Sequence, residues 1–101
     1  MRGLRYAYIG QYAQAIADYG QAIQLWPDSD VFLYIRGQAY ADTDDYARAI
    51  QDFDEAIRLN ANCARAFYNR GLALRALGQQ AQAASDFAKA GQLDPSLQAP
   101  P

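Results

Sequence analysis

The sequence predicts an all-α solenoid built from stacked pairs of antiparallel helices. Three observations predict it. The dipeptide Arg-Gly recurs as Arg2-Gly3, Arg36-Gly37 and Arg70-Gly71, a constant step of 34 residues. Apolar residues within each step recur every three or four positions, the period of a helix with one buried face. Helix-breaking residues fall at matching places in each step and divide it into two helical halves. Short units repeating at such a period bury their apolar faces on their neighbours, so the fold grows by stacking.

The register of the repeat runs well beyond Arg-Gly. The same step aligns Ala13, Ala47 and Ala81; Ala15, Ala49 and Ala83; Asp18, Asp52 and Asp86; Ala22, Ala56 and Ala90; and Leu25, Leu59 and Leu93. Aromatics coincide as Tyr19, Phe53 and Phe87, and no gap is needed. In the second half of the second unit, Tyr46, Ala49, Ile50, Phe53, Ala56, Ile57 and Leu59 follow helical steps. In its first half, Leu33, Arg36-Gly37 and Tyr40 share one stripe. Between the halves stand Gly10, Asp44 and Gly78. Gly ends a helix in the left-handed conformation without a Cβ clash, and Asp tolerates that conformation better than most. A helix break is therefore expected at all three.

The joints between units are Trp26-Pro27-Asp28-Ser29, Asn60-Ala61-Asn62 and Asp94-Pro95-Ser96. Asp28 or Ser29, and Asn62, are the expected N-caps of the helices that follow. The run Val31-Phe32-Leu33-Tyr34-Ile35 is strand-prone by composition. Its equivalent, Arg65-Ala66-Phe67-Tyr68-Asn69, is helical in character, so both are read as helix. The expected organisation is one domain over 1–101. Its units span about 1–29, 30–63 and 64–97, the first of them truncated, with a short tail at 98–101.

A helix–turn–helix unit of 34 residues with this pattern resembles the tetratricopeptide repeat family. The third unit carries the matching residues as Phe67, Gly71, Leu74, Ala83, Phe87 and Pro95. The second carries Leu33, Gly37, Tyr40, Ala49 and Phe53, with Ala61 in the place of Pro. The first carries Gly3, Tyr6, Ala15, Tyr19 and Pro27. The resemblance covers essentially the whole chain. It implies a right-handed superhelix of about 2.5–3 units and a role in binding another protein. The small residues are expected to let the two helices of a unit approach closely, Gly3, Gly37 and Gly71 facing Ala15, Ala49 and Ala83.

Three departures from the family pattern stand out. The site before each Gly holds Arg2, Arg36 and Arg70 instead of an apolar residue, and an Arg near a helix seam needs a partner. The carboxylates recurring in step with it are Asp18, Asp52 and Asp86, so Arg36 is expected to pair with Asp52 and Arg70 with Asp86. The first helix lacks about a turn and a half relative to the others. No polar capping helix follows Leu93, although solenoid ends normally carry one. The expectation from the last two is a fragment of a longer array or a self-associating protein.

Composition narrows the function classes. Of the 101 residues, 51% are hydrophobic and 20% charged, with a formal net charge of -2. A nucleic-acid or anionic-membrane binder carries a basic surplus, so neither partner is expected. The chain has no histidine, which removes the commonest general base and metal ligand, and no nucleophile–base or phosphate-cradling motif is present. No enzyme activity, cofactor or metal is expected. Asp42-Thr43-Asp44-Asp45 resembles the start of a calcium loop, but Ala47 and Phe53 stand where Gly and Glu are required, so it is read as a turn. The single cysteine, Cys63, permits no internal disulfide and fits a reducing, cytoplasmic setting. Cys63 lies where a helix dipole could lower its pKa, yet the preferred reading is packing between units.

Candidate binding residues lie on the inward stripe of each unit's first helix. They are Leu4 and Tyr8; Val31, Tyr34, Ile35, Gln38 and Asp42; and Arg65, Tyr68, Asn69, Leu72 and Arg75. Aromatic and aliphatic groups with two arginines suit an extended peptide or an amphipathic helix laid in a groove. Tyr34 and Tyr68 could equally pack between units. The family's clamp for C-terminal carboxylates uses Lys, Asn and Arg at inward sites, where this chain has Leu4, Ile35 and Asn69; only Arg65 matches in charge. The expected partner is therefore a relatively apolar protein or peptide. Self-assembly through uncapped ends is the alternative, making a homo-oligomer. Trp26 replaces a polar residue before Pro27, and is read as covering the junction with the second unit or as a docking patch.

Overall fold

Helix-forming runs alternate with Asp, Asn, Gly and Pro joints, and five helices result. In chain order they are α1 (Arg2–Leu25), α2 (Asp30–Asp42), α3 (Tyr46–Leu59), α4 (Ala64–Ala76) and α5 (Gln80–Leu93). The computed structural model describes residues 2–99, with side chains from residue 10 onward. Among the described residues there is no strand, and the strand-prone run Val31–Ile35 lies inside α2.

Local chemistry sets the turns. Asp44 and Gly78 adopt left-handed backbone, at φ 65° and 83°, where the repeat places its breakers. Asp45 caps α3 by accepting a hydrogen bond from the Arg48 N–H at 3.3 Å. Asn60 and Asp94 end α3 and α5 in equivalent turns. Asn60 accepts from the Asn62 N–H at 3.0 Å, and Asp94 accepts from the Ser96 N–H at 3.0 Å. Ser29 occupies the N-cap of α2, as the sequence suggests, although its side chain makes no capping bond. Asn62 is not the cap of α4. Cys63 takes that place, because the Asn60 turn uses Asn62 and delays the helix by one residue.

The helices form two layers. The pairs α2–α3 and α4–α5 are antiparallel hairpins, and α1 packs against α2. Among the described residues α2 also touches α4, whereas α1, α3 and α5 do not touch one another. The stack therefore curves with α2 and α4 on its inside. Each hairpin closes on a ring against a glycine. A Cβ added to Gly37 would stand 2.6 Å from Phe53 Cε1 and 3.1 Å from the Ala49 carbonyl oxygen. At Gly71 it would stand 2.8 Å from Phe87 Cε1. Ala49, Phe53, Ala56 and Ala90 are fully enclosed, and Ala83 and Phe87 nearly so. Leu33, Ala56, Cys63 and Ala66 form a second cluster, which joins the two hairpins.

One expected break is absent. α1 runs unbroken for 24 residues through Gly10. A turn there would give up backbone hydrogen bonds and regain them only through burial of the helix before it. Through Gly10 the helix simply propagates, each further residue adding a backbone hydrogen bond once a turn has formed. In consequence Ala15 and Tyr19 are only half-buried, whereas their equivalents Ala49 and Phe53 have no exposure.

The ring–glycine contact makes a direct prediction. Gly37→Ala forces a Cβ against an enclosed ring and a backbone carbonyl, and is expected to destabilise the domain by about 1–3 kcal/mol. Thermal unfolding should show the midpoint falling by roughly 4–8 °C per kcal/mol for a domain this size. An unchanged midpoint would reject the seam.

Candidate functional site

The inner face is built from the sides of α2 and α4 that turn away from α3 and α5. Pairing each helix by its glycine stripe leaves the opposite stripe facing outward. On that stripe Val31 and Leu72 are 43% and 39% exposed, Ile35 is half-buried, and Gln38 is exposed. Gln38, Asp42, Asn69 and Leu72 meet along a cleft of about 230 Å³, floored by Ala73 and Phe53. The Asp42 carboxyl sits above its ordinary pKa because the surrounding chain desolvates it, a shift opposed by a hydrogen bond from Tyr12. Leu4 and Tyr8 belong to α1, but their side chains lie outside the described residues.

The remaining candidates are placed differently. Tyr34 is half-buried and packs against both the Leu33 cluster and the Ala49–Phe53–Ala73 cluster, so it joins the two hairpins. Tyr68 lies against Phe87, ring centroids 5.6 Å apart and tilted by 59°. These two rings serve the interior more than the cleft. Arg65 and Arg75 are exposed near opposite ends of α4. Asp94, close to Arg65, is held below the ordinary carboxylate value. The largest cause is the Ser96 hydroxyl bond, followed by the Ser96 N–H, with a smaller contribution from Arg65.

The arginines at the seams are structural. Arg36 grips Asp52 with two bonds, Nε to Oδ2 at 2.8 Å and Nη2 to Oδ1 at 2.7 Å. Arg70 grips Asp86 in the same way, both bonds at 2.8 Å, and reaches Asp54 of α3 through Nη1 at 3.0 Å. Asp52 and Asp86 are 6% and 5% exposed. The bond to Asp52 raises the Arg36 pKa further, outweighing burial, and the bond to Asp86 does the same for Arg70. Each carboxylate is satisfied by a planar fork. Where Arg70 meets Asp54, the equivalent edge of Arg36 faces Gly20, whose Cβ position would lie 3.8 Å from Nη1.

Cys63 is 6% exposed inside the inter-hairpin cluster. Burial pushes its thiol up to about 11, in line with the expected packing between units and against the lowering a helix start alone would give. Among the described residues no group of three or more His, Cys, Asp or Glu is gathered as a metal site, and no helix is long and apolar enough to cross a membrane.

Sequence reasoning treated Trp26 alone and missed its surroundings. Leu25, Trp26, Pro27 and Phe32 line an open hollow of about 660 Å³ away from the inner cleft. Trp26 stacks on Phe32 at 5.8 Å and so does cover the junction with α2, yet it remains 57% exposed. The signal was its place in the repeat, since Asn60 and Asp94 stand at the equivalent position and make turn bonds that an indole cannot accept.

The chain matches the family model of the tetratricopeptide repeat over residues 1–62 and again over 36–97. No curated protein sequence matches it. Among solved structures it is similar to the first tetratricopeptide domain of Spaghetti (RPAP3), bound to the HSP90 peptide SRMEEVD. Identity is 30%, with 93% of this chain and 75% of that one covered and a TM-score of 0.82. The tetratricopeptide domain of Arabidopsis OM64 is 29% identical over 90% of this chain and 76% of its own, with a TM-score of 0.83. MamA is 30% identical, with a TM-score of 0.79, and this chain covers 53% of its length.

Two predictions follow from the seams and the thiol. Asp52→Ala leaves a largely enclosed guanidinium without its acceptor and should cost about 1–3 kcal/mol in urea unfolding. Replacing both partners, Arg36→Leu with Asp52→Leu, should cost less than Asp52→Ala alone; a larger loss would contradict a structural role for the pair. Native Cys63 should react with a disulfide reagent at pH 8 at least about tenfold more slowly than in the urea-unfolded chain, since the thiolate is the nucleophile. The raised thiol pKa contributes stability below the unfolded thiol's value, and that contribution is lost as pH rises towards 11. Equal rates in the two states would place Cys63 outside the core.

Proposed function

This chain belongs to the tetratricopeptide repeat family, and from that membership we propose that it is a protein-interaction module holding a partner's peptide or helix on its inner face. The observation that carries this reading is the cleft between α2 and α4, lined by the exposed apolar side chain of Leu72 together with Gln38 and Asn69, with Val31 exposed further along α2. Similar domains support it. Both tetratricopeptide domains of Spaghetti (RPAP3) are described bound to the HSP90 peptide SRMEEVD, and the second human RPAP3 domain to the HSP70 peptide SGPTIEEVD.

The chemistry of this face favours a partner more apolar than those acidic peptides. Ile35 and Leu72 offer no hydrogen bonds to a carboxylate, and Asn69 offers amide donors without charge. Arg65 and Arg75 flank the apolar stretch and suit isolated acidic groups near the ends of a bound segment. Apolar side chains of the partner gain by covering Val31, Ile35 and Leu72, each buried methylene contributing about 0.8 kcal/mol.

The test is a titration with labelled SRMEEVD and with SRMLLVD, in which both glutamates become leucine. The second peptide should bind at least about fivefold more tightly, a difference near 1 kcal/mol. Leu72→Asp should weaken it by about tenfold or more, with little change in melting temperature because Leu72 is exposed. Equal affinities for the two peptides, or an undiminished affinity in Leu72→Asp, would overturn the assignment.

A further inference from the structure

We propose that the open seam on α1 is closed by α1 of a second copy of this chain, giving a two-fold dimer in which the segments at residues 2–9 are exchanged. The seam is identified by comparing three equivalent stripes. Ala49, Asp52 and Phe53 are 0%, 6% and 0% exposed, and Ala83, Asp86 and Phe87 are 2%, 5% and 8%. On α1, Ala15 and Tyr19 are half-buried and Asp18 is exposed, accepting a hydrogen bond from the Gln14 amide at 3.2 Å. This stripe resembles the other two in composition and, among the described residues, is less covered than they are.

The chain specifies what the cover should be. In both closed seams Arg and Gly stand sixteen residues before the Asp and the ring they meet. Arg36 grips Asp52 and Gly37 lies on Phe53; Arg70 grips Asp86 and Gly71 lies on Phe87. The same spacing on α1 relates Arg2 to Asp18 and Gly3 to Tyr19. Along one straight helix, sixteen residues span about 24 Å. A single copy with α1 unbroken therefore cannot bring these positions together.

Two copies can. Halfway between Arg2 and Asp18 lies Gly10, and halfway between Gly3 and Tyr19 lies Gln11. Two antiparallel α1 helices in this register are related by a two-fold axis passing beside those residues, and each supplies the other with the missing half-seam. Gly10 suits the crossing point, since a Cβ there would meet nothing within 4 Å and the helix passes through it without a turn. The dimer uses the contacts that already close the other seams, so it needs no new surface, only exchange of an element. The rival occupant is the chain's own first segment, folded back by a turn at Gly10.

Sedimentation equilibrium across a wide concentration range separates these outcomes. The weight-average mass should rise with concentration towards twice the chain's 11.2 kDa. Gly10→Ala strengthens the straight helix and should move the transition to lower concentration. Three glycines inserted after Gly10 should allow the segment to fold back, giving a monomer that keeps its helix content. A mass that stays at 11.2 kDa throughout overturns the proposal. If Gly10→Ala then also lowers the melting temperature, the chain's own segment fills the seam. If it raises the melting temperature, the stripe stays open in a monomer.

Discussion

An aromatic ring laid against a glycine closes each hairpin of this solenoid, and the rest of the architecture follows from that contact. Phe53 on Gly37 and Phe87 on Gly71 draw the paired helices closer than any other residue would permit. The bidentate Arg–Asp forks run beside the rings and bring a charged pair into a nearly enclosed place without leaving an acceptor unsatisfied. Ring and fork together fix the rotation of α2 and α4 about their axes. That rotation turns Val31, Ile35 and Leu72 to the inner face. The candidate site is thus a by-product of how the seams are closed.

The hairpins are coupled by different chemistry from that which closes them. Leu33, Ala56, Cys63 and Ala66 pack across the junction, with Tyr34 reaching into both clusters. A polar link adds to this, from Arg70 of α4 to Asp54 of α3. Each hairpin touches only its neighbours, the arrangement in which stability is a sum of unit and junction contributions. At the junction with α1, Tyr12 bonds to Asp42 of α2, and Gly20 stands where the next unit has Asp54. Trp26 stacked on Phe32 takes over part of that role.

Much of this was legible in the sequence because the decisive pairs lie within one unit. A 34-residue step repeats Arg with Asp and Gly with a ring, so the pairing could be read from register alone. Gly10 was not legible. It is followed by Gln exactly as Gly78 is, yet one stays helical and the other turns at φ 83°. The two glycines share their local motif, so the difference is not recorded in the residues on either side. Tyr34 and Tyr68 were ambiguous for a related reason. Tyr34 sits on a helix whose first half is apolar nearly all round, and Tyr68 at the equivalent place one repeat later, where periodicity does not separate the cleft from the interior. The packing role of Cys63 was legible from its place between units, and burial there outweighs the helix start in setting its acidity.

The most direct measurement of the central contact is a double-mutant cycle on Gly37→Ala and Phe53→Leu, read by urea unfolding. If the ring and the glycine define the seam, shortening the ring relieves the added methyl group. The two substitutions should then couple by about 1 kcal/mol or more, within the range found for residues in direct contact. Strict additivity would show that Gly37 and Phe53 do not hold the hairpin together, and the account built on that seam would fail with it.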